Sequence, residues 1–114
     1  MLAVPGGAQT RHMIDAPVLE ALGPQGFLIN VARGTVVDET ALVKALQAKT
    51  IAGAGLDVFE FEPQVPAELM SLDQVVMLPH IASGTFETRK AMADLVVENL
   101  DAWFSRRELL TRVV

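Results

Sequence analysis

The sequence predicts an α/β fold, half of a doubly wound parallel sheet with about four strands and flanking helices. Two observations carry this expectation. Short apolar runs alternate along the chain with amphipathic segments, the pattern of strands joined by crossover helices. The run Phe27-Leu28-Ile29 also lacks the polar alternation of a half-exposed strand, which suits a strand covered on both faces.

In chain order, residues 2–4 read as a strand stub stopped by Pro5-Gly6-Gly7. Asp15 offers an N-cap to a short helix whose Val18, Leu19 and Leu22 share a face, and Gly23-Pro24 ends it. After the strand at 27–29, Asp38 is the next N-cap. Ala41, Leu42, Ala45 and Leu46 form the inward stripe of that helix, while Lys44, Gln47 and Lys49 face water. Residues 52–58 form a strand of small residues, and its Gly53 and Gly55 imply close approach of another backbone or a ligand. Residues 75–78 supply the fourth strand. Over residues 85–104, Met92, Leu95, Val96, Leu100 and Trp103 recur at helical spacing. The apolar tail from Leu109 to Val114 needs a surface to lie on. Residues 1–84 are thus expected to form half of a doubly wound domain, and residues 85–114 a C-terminal helix and tail.

Bulk composition narrows the function. The chain has 114 residues, 51% hydrophobic and 20% charged, a soluble globular balance. Its formal charge of −5 leaves no basic footprint for nucleic acid or an anionic membrane. The absence of cysteine excludes a disulfide scaffold and a thiolate metal site, and no metal centre is expected. No apolar run approaches a membrane span, and the first residues lack the basic and apolar regions of a signal peptide. A cytoplasmic protein is the expectation.

Ligands of open α/β sheets bind beyond the carboxyl ends of the strands. There the sequence places Arg33 after the 27–29 strand, Asp57 at the end of the third strand with Glu62 five residues on, and His80 after the fourth. Each alone admits a plainer role: a solvated turn for Arg33, an acidic loop for Glu62, a turn former in Asp57, a helix cap in His80. Together they suit the reduction of a keto acid. A guanidinium holds a carboxylate bidentately and polarises the adjacent carbonyl. Histidine can give a proton to the carbonyl oxygen, and a neighbouring carboxylate favours the imidazolium.

The segments Leu28-Ile-Asn-Val-Ala-Arg-Gly-Thr-Val-Val-Asp-Glu39, Gly53-Ala-Gly-Leu-Asp-Val-Phe-Glu-Phe-Glu-Pro63 and Leu78-Pro-His-Ile-Ala-Ser83 resemble the D-isomer-specific 2-hydroxyacid dehydrogenases. Residues 83–97 resemble the hydroxypyruvate and glyoxylate reductase branch in particular, and the likeness spans nearly the whole chain. The resemblance implies a partial Rossmann-like domain, with residues 1–84 as the second half of the NAD(P)-binding domain and residues 85–114 packing back toward the substrate domain, NAD or NADP as cofactor, and a small 2-keto or 2-hydroxy acid as substrate. By it, Arg33 binds the substrate carboxylate and keto group, His80 is the acid/base and Glu62 pairs with His80. Asp57 and the backbone of Val31, Ala32 and Arg33 hold the nicotinamide carboxamide. Val4 and Pro5 pack along the cofactor, and His80, Ala82 and Ser83 lie nearby. Glu62 stands where formate dehydrogenases carry glutamine, which argues against formate.

Two positions depart from the pattern. Lys49 replaces a helix-ending glycine, at roughly 1–2 kcal/mol if left-handed, and Arg112 replaces a proline in the tail. More consequentially, the sequence contains no G-x-G-x-x-G to cradle a pyrophosphate. The family's substrate domain is absent from it too. Weak cofactor binding by the chain alone is the expectation, as is a homo-oligomer or pairing with another chain through the sheet edge at residues 2–4. The alternatives are a dinucleotide-sensing interaction protein of the same fold, or an inert remnant.

Overall fold

A computed structural model of the chain describes residues 1–113; Val114, the last residue of the predicted tail, lies outside the described residues. Two compact units are present, Met1–Ile81 and Ala82–Val114.

The first unit is built on three parallel strands in the order β1 (Phe27–Asn30), β2 (Gly53–Leu56) and β3 (Val75–Met77). Phe27 pairs with Gly53, and Ala54 with Val75. Helices α1 (Ala16–Leu22), α2 (Glu39–Gln47) and the one-turn α3 (Ala67–Met70) connect or flank the strands. The predicted caps form: Asp15 accepts from Val18 N–H at 3.2 Å, and Asp38 from Ala41 N–H at 2.9 Å. Lys49 takes the left-handed conformation that its place after α2 demands, with φ of 56°.

The expected strand at residues 2–4 is a correction. It amounts to a single parallel bridge between Leu2 and Asn30, made by Leu2 N–H to Ile29 O and Val31 N–H to Leu2 O. Just past the bridge the chain turns, with the Asn30 side chain accepting Ala32 N–H at 3.0 Å and donating to the Arg33 carbonyl. The sheet is therefore three strands and a bridge, not four strands. A second parallel bridge, Ile14 to Val37, and the short 3₁₀ turn Gly34–Val36 had no counterpart in the sequence reading. Nor had α3.

The core lies on one side of the sheet. Leu19 of α1, Leu42 and Leu46 of α2 and Leu69 of α3 pack with Leu28, Ala54 and Leu56 of the strands. Burial along β1 alternates, with Leu28 and Asn30 enclosed but Phe27 64% and Ile29 36% exposed. Coverage of both faces is thus not met within this chain, although the residues are apolar enough for it. Gly53 explains part of the small-residue strand: a Cβ there would stand 2.5 Å from the Gln74 carbonyl oxygen. The close approach comes from backbone.

The second unit is dominated by α4 (Phe86–Arg106), capped by Thr85, whose side chain accepts from Thr88 N–H. After the left-handed Arg107, the tail folds back on its own helix through Asn99. That side chain accepts from the Leu110 and Thr111 amides at 3.0 and 3.2 Å and donates to Leu95 O and Thr111 Oγ1. The surface the tail needs is thus α4 itself, where Leu109 and Thr111 join Leu95, Leu100 and Trp103 around an apolar groove.

Candidate active site

At the carboxyl ends of the strands the first unit opens into a cleft of about 890 Å³. Its walls come from three stretches of chain: residues 3–7, residues 31–35, and residues 59–62 with His80. Arg33, Glu62 and His80 all line it, so the three residue types singled out from sequence converge on one space.

His80 and Glu62 form a pair. His80 Nδ1 lies 2.9 Å from Glu62 Oε2, while Glu62 Oε1 accepts from Phe59 N–H at 3.0 Å. The hydrogen bond from His80 holds the Glu62 carboxyl below its ordinary range. The Phe59 amide acts in the same direction, and the charges of His80 and Arg33 add to both against a small opposing effect of burial. With Nδ1 engaged by a carboxylate, Nε2 is the ring nitrogen left for proton exchange with a bound molecule.

The backbone of His80 is held as tightly as its ring. Its φ is 55°, a left-handed conformation worth roughly 1–2 kcal/mol of strain. Asp57 sustains it from both sides: its carbonyl accepts His80 N–H at 2.8 Å, and its carboxylate Oδ1 accepts Ile81 N–H at 2.7 Å. Asp57 is only 3% exposed, and here it anchors the turn that presents His80.

Arg33 follows a tight turn in which Asn30 Nδ2 donates to the Arg33 carbonyl, and its Nη1 donates to Ala32 O at 2.6 Å. Its aliphatic stem crosses Gly6 so closely that a Cβ on Gly6 would stand 2.8 Å from Arg33 Cγ. Gly34 is more constrained still: a Cβ there would fall 1.9 Å from the Phe59 backbone carbon. Two glycines therefore set the Arg33 side chain and press its loop against the loop of Glu62. The Pro5-Gly6-Gly7 run was legible only as a strand stop.

The remaining residues named from sequence divide. Val4, Pro5, Val31 and Ala32 line the cleft beside Arg33. Ala82 and Ser83 open the second unit. For a dinucleotide, Val4, Pro5, Gly6, Gly7 and Val31 line the cleft with small or apolar groups, which fits a flat nicotinamide end. The pyrophosphate end has no matching glycine loop in this sequence. Among the described residues no group of three His, Cys, Asp or Glu is placed to hold a metal ion. No helix among them is long and apolar enough to cross a membrane.

Sequence reading missed Arg11, His12, Glu39 and Glu60. They form a second polar cluster on the far side of the Phe59-Glu60 peptide, in which Glu60 meets both Arg11 and His12. A histidine in a turn and a glutamate at a helix start carry no signal of burial or of mutual contact.

Comparison with known proteins agrees with this geometry. Residues 1–82 match the family model described as D-isomer specific 2-hydroxyacid dehydrogenase, NAD binding domain. Glyoxylate/hydroxypyruvate reductase A of Arabidopsis thaliana is 58% identical over all 114 residues, which cover 36% of its length. Hydroxyphenylpyruvate reductase of Plectranthus scutellarioides is 57% identical, with the same coverage. Among solved structures, the NADPH-dependent glyoxylate/hydroxypyruvate reductase of Sinorhizobium meliloti, in complex with NADP and malonate, superposes with a TM-score of 0.95 at 62% identity. That match covers 98% of this chain and 35% of the reductase. The chain spans about a third of the length of the relatives it matches. With a matching family model over most of its length and a parallel α/β sheet that brings Arg33, Glu62 and His80 to one cleft, the chain belongs to the D-isomer-specific 2-hydroxyacid dehydrogenase family.

Proposed function

We propose that this chain carries the proton-transfer and carboxylate-holding part of an NAD(P)-dependent dehydrogenase site that interconverts a small 2-keto acid and its D-2-hydroxy acid. Glyoxylate and hydroxypyruvate are the preferred substrates. The observation that carries the reading is the His80–Glu62 pair at 2.9 Å, facing the same cleft as Arg33.

In this reading Arg33 binds the substrate carboxylate through its guanidinium fork and draws charge from the neighbouring carbonyl. His80 donates its Nε2 proton to the carbonyl oxygen during reduction and takes it back during oxidation. Glu62 orients the ring through Nδ1 and stabilises the imidazolium. A reduced nicotinamide, when bound, supplies the hydride. The backbone of Val31, Ala32 and Arg33, together with Asp57, holds its carboxamide. Val4 and Pro5 flank the ring, with His80 close by. NADPH is favoured over NADH because the similar Sinorhizobium meliloti reductase is NADPH-dependent. Since the glycine fingerprint is not in this sequence, affinity of the 114-residue chain for the cofactor is low.

The test is a titration with NADPH and NADH by fluorescence, followed by assays of glyoxylate and hydroxypyruvate reduction. Any turnover should fall by about 10²–10⁴-fold in His80→Ala. Turnover unaffected by that change would sink the reading. Dinucleotide binding with no turnover would favour a sensing role for the fold.

A further inference from the structure

The loop that presents Glu62 also carries a carboxylate for which the proposed reaction has no use. The side chain of Glu60 is only 6% exposed, and its Oε1 accepts from Arg11 Nη2 at 2.9 Å and lies 2.8 Å from His12 Nε2. Its backbone N–H donates to Glu39 Oε1 at 3.3 Å, and Glu39 is itself 8% exposed. His12 is anchored in turn, since its N–H donates to Thr35 O at 2.8 Å with φ at 50°. Gly34 presses on the same peptide from below.

Two enclosed carboxylates brought against one peptide are unfavourable as packing alone. Burial pushes the Glu39 carboxyl above its ordinary range, opposed by the hydrogen bond from Glu60 N–H and reinforced by the Glu60 charge. Apolar residues of similar volume would often serve stability as well or better. What the arrangement does supply is orientation. It fixes the Phe59-Glu60 peptide, which adjoins the Val58-Phe59 peptide whose N–H donates to Glu62 Oε1. Groups that act on protons need such restraint from the residues behind them.

We propose that Glu60, gripped by Arg11 and His12, and Glu39, which accepts its backbone N–H, form a positioning unit that sets the direction of Glu62 toward His80. The inference rests on the reading of Glu62 and His80 as the acid/base pair, but its test needs neither cofactor nor substrate. Failure of the dehydrogenase reading would appear in binding and turnover. Failure of this one would appear in the titration of Glu62.

Glu39→Gln and Glu39→Leu both remove a negative charge, but only leucine removes the acceptor for Glu60 N–H. The Glu62 carboxyl is followed by carbon-detected NMR titration in the 114-residue chain. In Glu39→Leu its midpoint should rise toward the ordinary glutamate value by about half a pH unit, because its own hydrogen bonds loosen. In Glu39→Gln it should not rise. Equal downward movement in both variants is what loss of a nearby charge alone produces, and would overturn the proposal, as would no movement in either. Should the leucine variant not fold, Arg11→Met/His12→Asn alters more exposed positions, and asparagine tolerates the left-handed backbone at position 12. Amide exchange at Phe59 should then quicken by about tenfold, and unchanged exchange would overturn the proposal.

Discussion

Leu46 and Leu95 occupy equivalent places in two helical patterns, yet Leu46 of α2 is fully enclosed while Leu95 of α4 is 42% exposed. The contrast holds for the two units as wholes. Met1–Ile81 closes an apolar core from three helices and three strands. In α4 only Ala102 is buried, while Met92, Val96 and Leu100 are each at least 52% exposed. Helical periodicity identifies the face that needs cover. It does not say whether cover is supplied by the same stretch of chain. The site residues Arg33, Glu62 and His80 all belong to the unit that closes its own core.

The strongest way to break this comparison is to break the self-packed unit at its tightest contact. In Gly34→Ala the added methyl would stand 1.9 and 2.0 Å from the Phe59 carbonyl carbon and oxygen, and backbone cannot step aside as a flexible side chain can. The expected loss is at least about 4 kcal/mol, read as collapse of cooperative urea unfolding or of amide protection across Met1–Ile81. A variant that unfolds like the parent would mean that the Arg33 and Glu62 loops are not packed as described.

A matched pair of truncations sharpens the contrast next. Leu46→Ala removes a fully buried side chain from the core and should destabilise by about 2–5 kcal/mol. Leu95→Ala removes one that already meets solvent, and should change stability by less than about 1 kcal/mol. Chemical denaturation of both variants measures the difference directly. Similar losses would show that α4 is covered in solution after all.

How far the sequence revealed this architecture follows the same division between local and non-local causes. The caps at Asp15 and Asp38 and the left-handed Lys49 were legible because each depends on one side chain and its immediate neighbours. Arg33, Glu62 and His80 were legible because strand ends bring successive loops to one edge of a parallel sheet. The supposed strand at residues 2–4 is shortened to one bridge by a turn outside its own residues, which the Asn30 side chain closes on Ala32 N–H and the Arg33 carbonyl. Glu39 and Glu60 stayed hidden likewise. Nothing in Asp38-Glu39 or Phe59-Glu60-Phe61 tells that both carboxylates are enclosed against the same peptide.

The smallest effect expected is at Glu39, and its sign can be worked out. The folded-state carboxyl titrates above its ordinary value, chiefly because of burial. Between the ordinary glutamate value and the raised one, the folded chain binds more protons than the unfolded chain. The resulting stabilisation is complete below the unfolded value and is lost as pH rises through the folded value. At neutral pH, then, the ionised Glu39 is a net burden on the fold. Glu39→Gln keeps an oxygen for Glu60 N–H and removes the charge. It should raise stability at pH 7 by a few tenths of a kcal/mol, after roughly 0.3–1 kcal/mol is forfeited for an anion in the first turn of α2. That gain should vanish as pH falls below the ordinary glutamate range. Thermal melts of parent and variant at pH 7 and pH 4 measure it. A less stable glutamine variant at pH 7 would mean that the α2 N-terminus and Glu60 N–H hold the carboxylate more strongly than burial penalises it. Charge, rather than hydrogen-bond geometry alone, would then tie the self-packed unit together behind its site.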